Sequence, residues 1–194
     1  MALGDALLST MPGSNAELFL EYLDNTFGKE DQILSEQAED GGPKIAMFVY
    51  RECPEPGMVT GVTFGLSHRA HPDWKFGRPE MVISMESESL DWPSAALGLT
   101  AYFAGKKRFC YGDVFTVDGT LTSETEMDGV LIFAQSLLDP EAATVQLRDY
   151  RATLYQYYPI HSAEIPIYEK LGLEGFWNHP EFGMYDPKRK PIKE

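Results

Sequence analysis

The stretch "VTFGLSHRAHPDW", Val62 to Trp74, gathers Ser67, His68, His71 and Asp73 in one short run. A serine beside a histidine raises the question of nucleophilic catalysis. A nucleophile elbow needs a glycine on each side of the serine, because the strained turn must lift the hydroxyl clear of the sheet. "GLSHR" has Gly65 before Ser67 but Arg69 after it. On a continuing strand Ser67 and His68 would also point to opposite faces, so the elbow reading is set aside. His68, His71 and Asp73 make the sharper cluster: one loop could turn two imidazoles and a carboxylate inward as zinc ligands of a metal-dependent hydrolase. Their spacing matches no helical or zinc-ribbon signature, and His161 or His179 would have to arrive from far along the chain.

Carboxylates are abundant in "SMESESLDW", but in an acidic protein abundance alone does not mark acid-base chemistry; a specific pair must share a desolvated cleft. No GxGxxG follows a strand and no GxxxxGK[ST] occurs, which removes the usual nucleotide-binding arguments and leaves no cofactor expected.

The elements around these residues are legible from periodicity. "SNAELFLEYLDNTFG" has Ser14 three residues before Glu17, a capping-box pattern, then Leu18, Phe19, Tyr22 and Leu23 at helical spacing, with Gly28 as the stop. "EDQILSEQAEDGGPK" reads as a polar connection. "KIAMFVYRE" is a continuous apolar run of strand length suited to burial on both faces, and "MVTGVTFGLS" and "PEMVISMES" are two further strands joined by the loop "HRAHPDWKFGR". "DWPSAALGLTAYFAGKK" predicts a second helix with Pro93 in its first turn, Ala96, Leu99, Tyr102 and Phe103 on one stripe, and Gly105 and two lysines at its end. "RFCYGDVFTV", "DGVLIFAQS" and "YRATLYQYYPI" return to β character; in the last, Tyr155 and Tyr157 share one face and Tyr158 takes the other. A last helix starts near "SAEIPIYEKLG", with Pro166 in the first turn and Gly172 at the end. The expected fold is α/β (α+β): one domain over residues 1–194, a mixed β-sheet of about six strands flanked by helices, and a basic tail, residues 186–194, read as a frayed terminus.

Composition narrows the class of partner. With 194 residues, 43% hydrophobic and 24% charged, the chain suits one domain with a sizeable core. Sixteen basic residues against thirty acidic give a formal charge of −14, which disfavours nucleic acid and anionic membranes and leaves a neutral or basic partner. No apolar run is long enough to span a bilayer, and "MALGDALLSTMPGS" lacks the basic start of a secretory signal, so a cytoplasmic location is expected. Cys53 and Cys110 form no CxxC pair and read as buried reduced thiols.

Three stretches together resemble the suppressor of fused domain family. "VTFGLSH" is similar to its strand ending in a Gly-Leu-Ser-His turn. "RPEMVISMES…DWPSAALGLTAYFAGKKRFCYGDV" is similar to its Glu-bearing strand, the Trp before the helix and the following Gly-Asp turn. "LYQYYPIHSAEIPIYEKLGLEGFW" is similar to its Pro-Ile segment and Glu-bearing helix. The resemblance runs from about Leu18 to Trp177. It implies a non-catalytic protein-binding module of the single-domain bacterial type, shorter than the two-domain animal members that sequester a transcription factor. Bacterial members of the family are regarded as immunity proteins against polymorphic toxins, and an acidic surface would steer association with a basic toxin such as a nuclease.

For the contact surface, His68 and Trp74 in the long loop and Tyr158, His161 and Glu164 around the Pro-Ile segment are the candidates, because aromatic side chains anchor many interfaces. The competing reading has Trp74 and Tyr158 packing the core edge and Glu164 capping a helix or binding backbone amides.

Overall fold

The computed structural model describes residues 13–106 and 109–193, without the side chains of residues 105 and 106. The readings that rest on the first twelve residues and on Lys107 lie outside the described residues.

In chain order the elements are α1 (Asn15–Phe27), β1 (Gln32–Gln37), β2 (Lys44–Arg51), β3 (Val59–Phe64), a 3₁₀ turn (Leu66–His68) and β4 (Arg78–Met85). Then come α2 (Asp91–Lys106), β5 (Val114–Thr116), β6 (Gly129–Ala134), β7 (Thr144–Gln146), β8 (Arg151–Ile160), a second 3₁₀ turn (Ser162–Glu164) and α3 (Ile165–Trp177). The strands form one sheet in the order β1-β2-β3-β4-β8-β6-β5, with β7 also paired to β8. Among the described residues only β4 and β8 run parallel; the other pairs are antiparallel, so the sheet is mixed as expected.

The alternation of side chains along the strands sorts the helices into layers. In β2, Ile45, Met47 and Val49 join Trp92, Ala96, Leu97, Ala101 and Phe103 of α2 in one core. Ala46, Phe48 and Tyr50 face the other way, onto Phe19 and Leu23 of α1. In β8, Tyr155 and Tyr157 face the α2 side, whereas Tyr158 and Ile160 pack with Ile167 and Phe176 of α3. The central strands are therefore buried on both faces, and α2 covers one face while α1 and α3 share the other. Gly61 lets α2 approach: a Cβ there would lie 2.7 Å from Met47 Sδ and 3.2 Å from Pro93 Cβ.

Local signals are borne out where they are strong. Ser14 Oγ accepts from the Glu17 amide at 3.2 Å, and Glu17 Oε2 accepts from the Ser14 amide at 3.0 Å, which closes the capping box; Gly28 stops α1 with φ +82°. Among the described residues the sheet has eight strands where about six were expected. β1 lies in the stretch read as a polar connection, because as an edge strand it keeps Gln32, Glu36 and Gln37 exposed and shows no apolar alternation. β7, three residues long, is too short to give a periodic signal. Gly172 breaks α3 with φ +69°, but the helix resumes beyond it to Trp177.

The tail is a further difference. Arg189 is 7% exposed and Ile192 4% exposed, and Ile192 packs with Leu131, Tyr158, Ile160 and Phe176, so the tail through Ile192 is docked and not frayed. Among the described residues no helix is long and apolar enough to cross a membrane. Cys53 and Cys110 are both half-buried and joined by no disulfide among the described residues.

Candidate functional site

Glu80 explains the "GLSH" turn. It is fully buried near the start of β4, and its carboxylate accepts from Thr63 Oγ1 at 2.7 Å, the Gly65 amide at 2.8 Å and the Ser67 amide at 2.9 Å. Thr63 Oγ1 in turn accepts from the Met81 amide at 2.8 Å. Gly65 is required at the turn: its φ is +128°, and a Cβ would fall 2.7 Å from the Lys44 carbonyl oxygen. Ser67 is fully buried with its hydroxyl 3.1 Å from Tyr150 Oη, which makes it a structural hydroxyl.

His68 emerges from this turn into solvent, edge-on to Phe64 at a ring separation of 4.9 Å. Its neighbour Arg69 pairs with Asp40 at 2.6 Å; that guanidinium, with the Gly42 amide, holds the Asp40 carboxyl below its ordinary range. His71 Nδ1 accepts from the Asp73 amide at 3.2 Å and lies 3.7 Å from the Asp73 carboxylate. Among the described residues no three His, Cys, Asp or Glu side chains converge to hold a metal, so the cluster His68, His71 and Asp73 is not assembled as zinc ligands. The loop turns His71 onto Asp73 and Trp74 while His68 points outward.

Trp74 is half-buried, donates from Nε1 to the Phe109 carbonyl at 3.0 Å and packs on the α2-side core. The exposed aromatic of this loop is Phe76, 59% exposed and stacked on Tyr111 at 5.3 Å, on the lip of a cleft of about 350 Å³ that also takes in Arg151 and Thr153. Partial burial pushes the Tyr111 hydroxyl up to about 12. Sequence reasoning favoured Trp74 and passed over Phe76; the only signal was its place between Lys75 and Gly77, away from any periodic run.

Around the Pro-Ile segment the side chains point inward. Tyr158 is fully buried; its hydroxyl donates to the Ala134 carbonyl at 2.7 Å, and burial drives its ionisation far above the ordinary range. Glu164 is also fully buried and is held by the tail. Arg189 Nη1 and Nη2 donate to its two oxygens at 2.5 and 2.7 Å, the Ile192 amide at 2.7 Å and the His161 amide at 2.9 Å. Burial alone would raise the Glu164 carboxyl; the guanidinium and the two amides outweigh it and hold the group below its ordinary range. His161, 6% exposed, donates from Nε2 to the Arg189 carbonyl at 3.1 Å. Tyr158, His161 and Glu164 thus form a buried support, and of the five candidate contact residues only His68 is exposed.

What the surface does display is charge. The stretch "SEQAED" runs along α2: the Glu39 amide donates to the Ala101 carbonyl at 3.3 Å, and Glu36 Oε2 lies 3.8 Å from where a Gly98 Cβ would be. The stretch "MESESLD" leads into the start of the same helix. Glu36, Glu39, Asp40, Glu86, Glu88 and Asp91 are all exposed, so the fold sets one acidic stretch at the start of α2 and the other alongside its middle turns. The rim continues into the loop before β6, where Glu124 Oε2 accepts from Ser87 Oγ at 2.6 Å and Trp92 Nε1 at 3.0 Å, and Ser123 Oγ donates to Asp91 at 3.3 Å.

Comparison with known proteins agrees with this architecture. The family model of the suppressor of fused protein (SUFU) matches residues 41–190, and the chain belongs to that family. A SUFU homologue from Neisseria gonorrhoeae has a similar fold, with TM-score 0.65 and 14% identity over 92% of this chain and 97% of that one. Suppressor of Fused from Drosophila gives TM-score 0.63 and 12% identity over 94% of this chain, which spans 51% of the fly chain. A chain of the Sufu–Fu complex gives TM-score 0.62 and 11% identity over 95% of this chain and 93% of that one. No curated protein matches the sequence significantly. The stretches that resemble the family contain both buried carboxylates, Glu80 and Glu164, with most of the groups that bind them.

Proposed function

We propose that this chain is a non-catalytic module that binds a basic protein, and that its biological use is that of an immunity protein occluding a toxin. The observation that carries the reading is the run of exposed carboxylates along α2, from Glu86, Glu88 and Asp91 at its start to Glu36 and Glu39 beside its middle turns, with Glu124 and Glu126 extending the rim. On a molecule of formal charge −14 such a rim focuses a field that draws in a cationic surface, such as a nuclease site that accepts phosphates. The buried carboxylates Glu80 and Glu164 are committed to amides, a hydroxyl and a guanidinium, which leaves neither free to move a proton for a substrate. A chain of similar fold in a Sufu–Fu complex supports protein binding as the use of the fold. The proposed contact residues are exposed His68 and Phe76, with Trp74 fixing the loop that carries them. Tyr158, His161 and Glu164 act from beneath, by holding the segment in place.

The test is to mix the purified chain with the basic protein encoded beside its gene. A one-to-one complex is expected, with an association rate that falls as salt rises. Neutralising Glu36, Glu39, Asp40, Glu86, Glu88 and Asp91 should slow association by about tenfold or more. An unchanged rate would sink the steering argument. Turnover of a small molecule, lost in His68→Ala or His71→Ala, would replace the whole reading with a hydrolase.

A further inference from the structure

The pocket around Glu164 has the chemistry of an arginine receptor. Its carboxylate offers both oxygens to the two terminal nitrogens of one guanidinium, the fork geometry that arginine matches and lysine does not. The Pro159 carbonyl accepts a further bond from Nη2 at 3.2 Å, and the Phe182 ring lies 5.2 Å from the guanidinium carbon. Glu164 is itself fully buried and is oriented by the amides of His161 and Ile192.

The segment that fills this pocket is basic and only partly packed. "DPKRKPIKE" carries four of the sixteen basic residues in Lys188, Arg189, Lys190 and Lys193. Between it and the acidic loop lies a cleft of about 370 Å³ lined by Glu124, Glu126, Lys188 and Lys190, and among the described residues no ion pair closes it. Arg189 Nε is buried without an acceptor, so the tail's path into the pocket leaves one of the five guanidinium N–H groups stranded. The tail therefore lies beside the acidic loop 123–126 as an extended basic segment, held to the body by buried Pro187, Arg189 and Ile192 and by the Lys193 amide, which donates to Glu181 at 2.9 Å.

We infer that the Glu164 pocket is a binding site for an arginine of a basic polypeptide, and that the chain's own tail occupies it in cis as a stand-in. This rests on the reading of the chain as a binder of basic proteins and names the residue of the partner that would enter. The tethered tail competes with any incoming arginine, so it sets a threshold: only a partner that also engages the rim carboxylates displaces it.

The experiment uses the full chain with Arg189→Ala and a labelled peptide of residues 187–193, PKRKPIK. The peptide should bind the variant about tenfold or more tighter than the unsubstituted chain, whose pocket is already filled. Citrulline in place of the peptide's arginine, or Glu164→Gln added to the variant, should abolish that gain. Equal binding to both chains, or equal binding of the citrulline peptide, would overturn the inference. Should Arg189→Ala fail to fold, the unsubstituted chain is titrated with peptide while hydrogen exchange of the Ile192 amide, bound to Glu164 at 2.7 Å, is followed. Displacement must speed that exchange; no change at millimolar peptide would equally overturn the inference. Partner binding that depends on the rim carboxylates but ignores Arg189→Ala and Glu164→Gln would remove the socket and keep the broader reading. Peptide binding without rim dependence of the partner would do the reverse.

Discussion

Two fully buried glutamates anchor this molecule, and they are satisfied in different ways. Glu80 receives a hydroxyl and two amides, all within reach of adjoining strands, and forms no ion pair among the described residues. Glu164 receives a guanidinium and an amide from a segment about 25 residues further along. Burying a lone carboxylate is costly unless hydrogen bonds or a countercharge offset it. Glu80 uses the first route and in return fixes a tight turn. Glu164 uses the second and in return captures a distant segment. One is a local brace and the other is a latch.

The difference can be broken from the latch side first. Arg189→Ala leaves Glu164 buried with no countercharge and should destabilise the chain by about 3–5 kcal/mol, read as a drop in the urea midpoint. Glu80→Gln keeps the shape but replaces an oxygen acceptor with a donor facing amides; the expected loss is smaller, about 1–3 kcal/mol by the same measurement. Acid tests the latch next. The Glu164 carboxyl titrates below its ordinary value of 4.5 in the folded chain, so its contribution is complete above that value and disappears as pH falls through the folded one. Stability should therefore fall less steeply with acid in Glu164→Gln than in the unsubstituted chain; Asp128, also held low because the Ser162 hydroxyl and amide outweigh burial, is common to both. Parallel curves would mean that Arg189 is not the group holding the carboxyl down. The smallest effect belongs to His68→Ala, which removes an exposed ring and should shift stability by no more than about 0.5 kcal/mol while weakening partner binding, measured by titration calorimetry.

The same contrast marks how far the sequence could be read. The Ser14–Glu17 cap, the two-faced burial of β2 and the split of Tyr157 from Tyr158 follow from spacing within a few residues, and all are found. The brace at Glu80 could be suspected only through the family resemblance, because nothing in "RPEMV" announces that its glutamate turns inward. The latch was hidden more deeply: Arg189 stands in a run of charges that ordinarily marks a solvated end, and its partner is remote. Edge strand β1 was missed because exposure on one side erases the apolar rhythm that identifies a strand. Trp74, named as an aromatic anchor with core-edge packing as its competing reading, is tied to Phe109, while the more exposed Phe76 carries no pattern at all.

The order of the sheet has a consequence for synthesis. β1 to β4 hydrogen-bond among themselves, and so do β5 and β6, but among the described residues the two sets meet only through β8, which follows all of them in the chain. Until Arg151 to Ile160 leave the ribosome, β4 and β6 each present a bare row of amides and carbonyls, the kind of edge on which unfinished chains stick to one another. A nascent chain should therefore need sheltering until residues 151–160 are made, and a stop codon shortly before residue 151 should yield insoluble product and not a smaller domain.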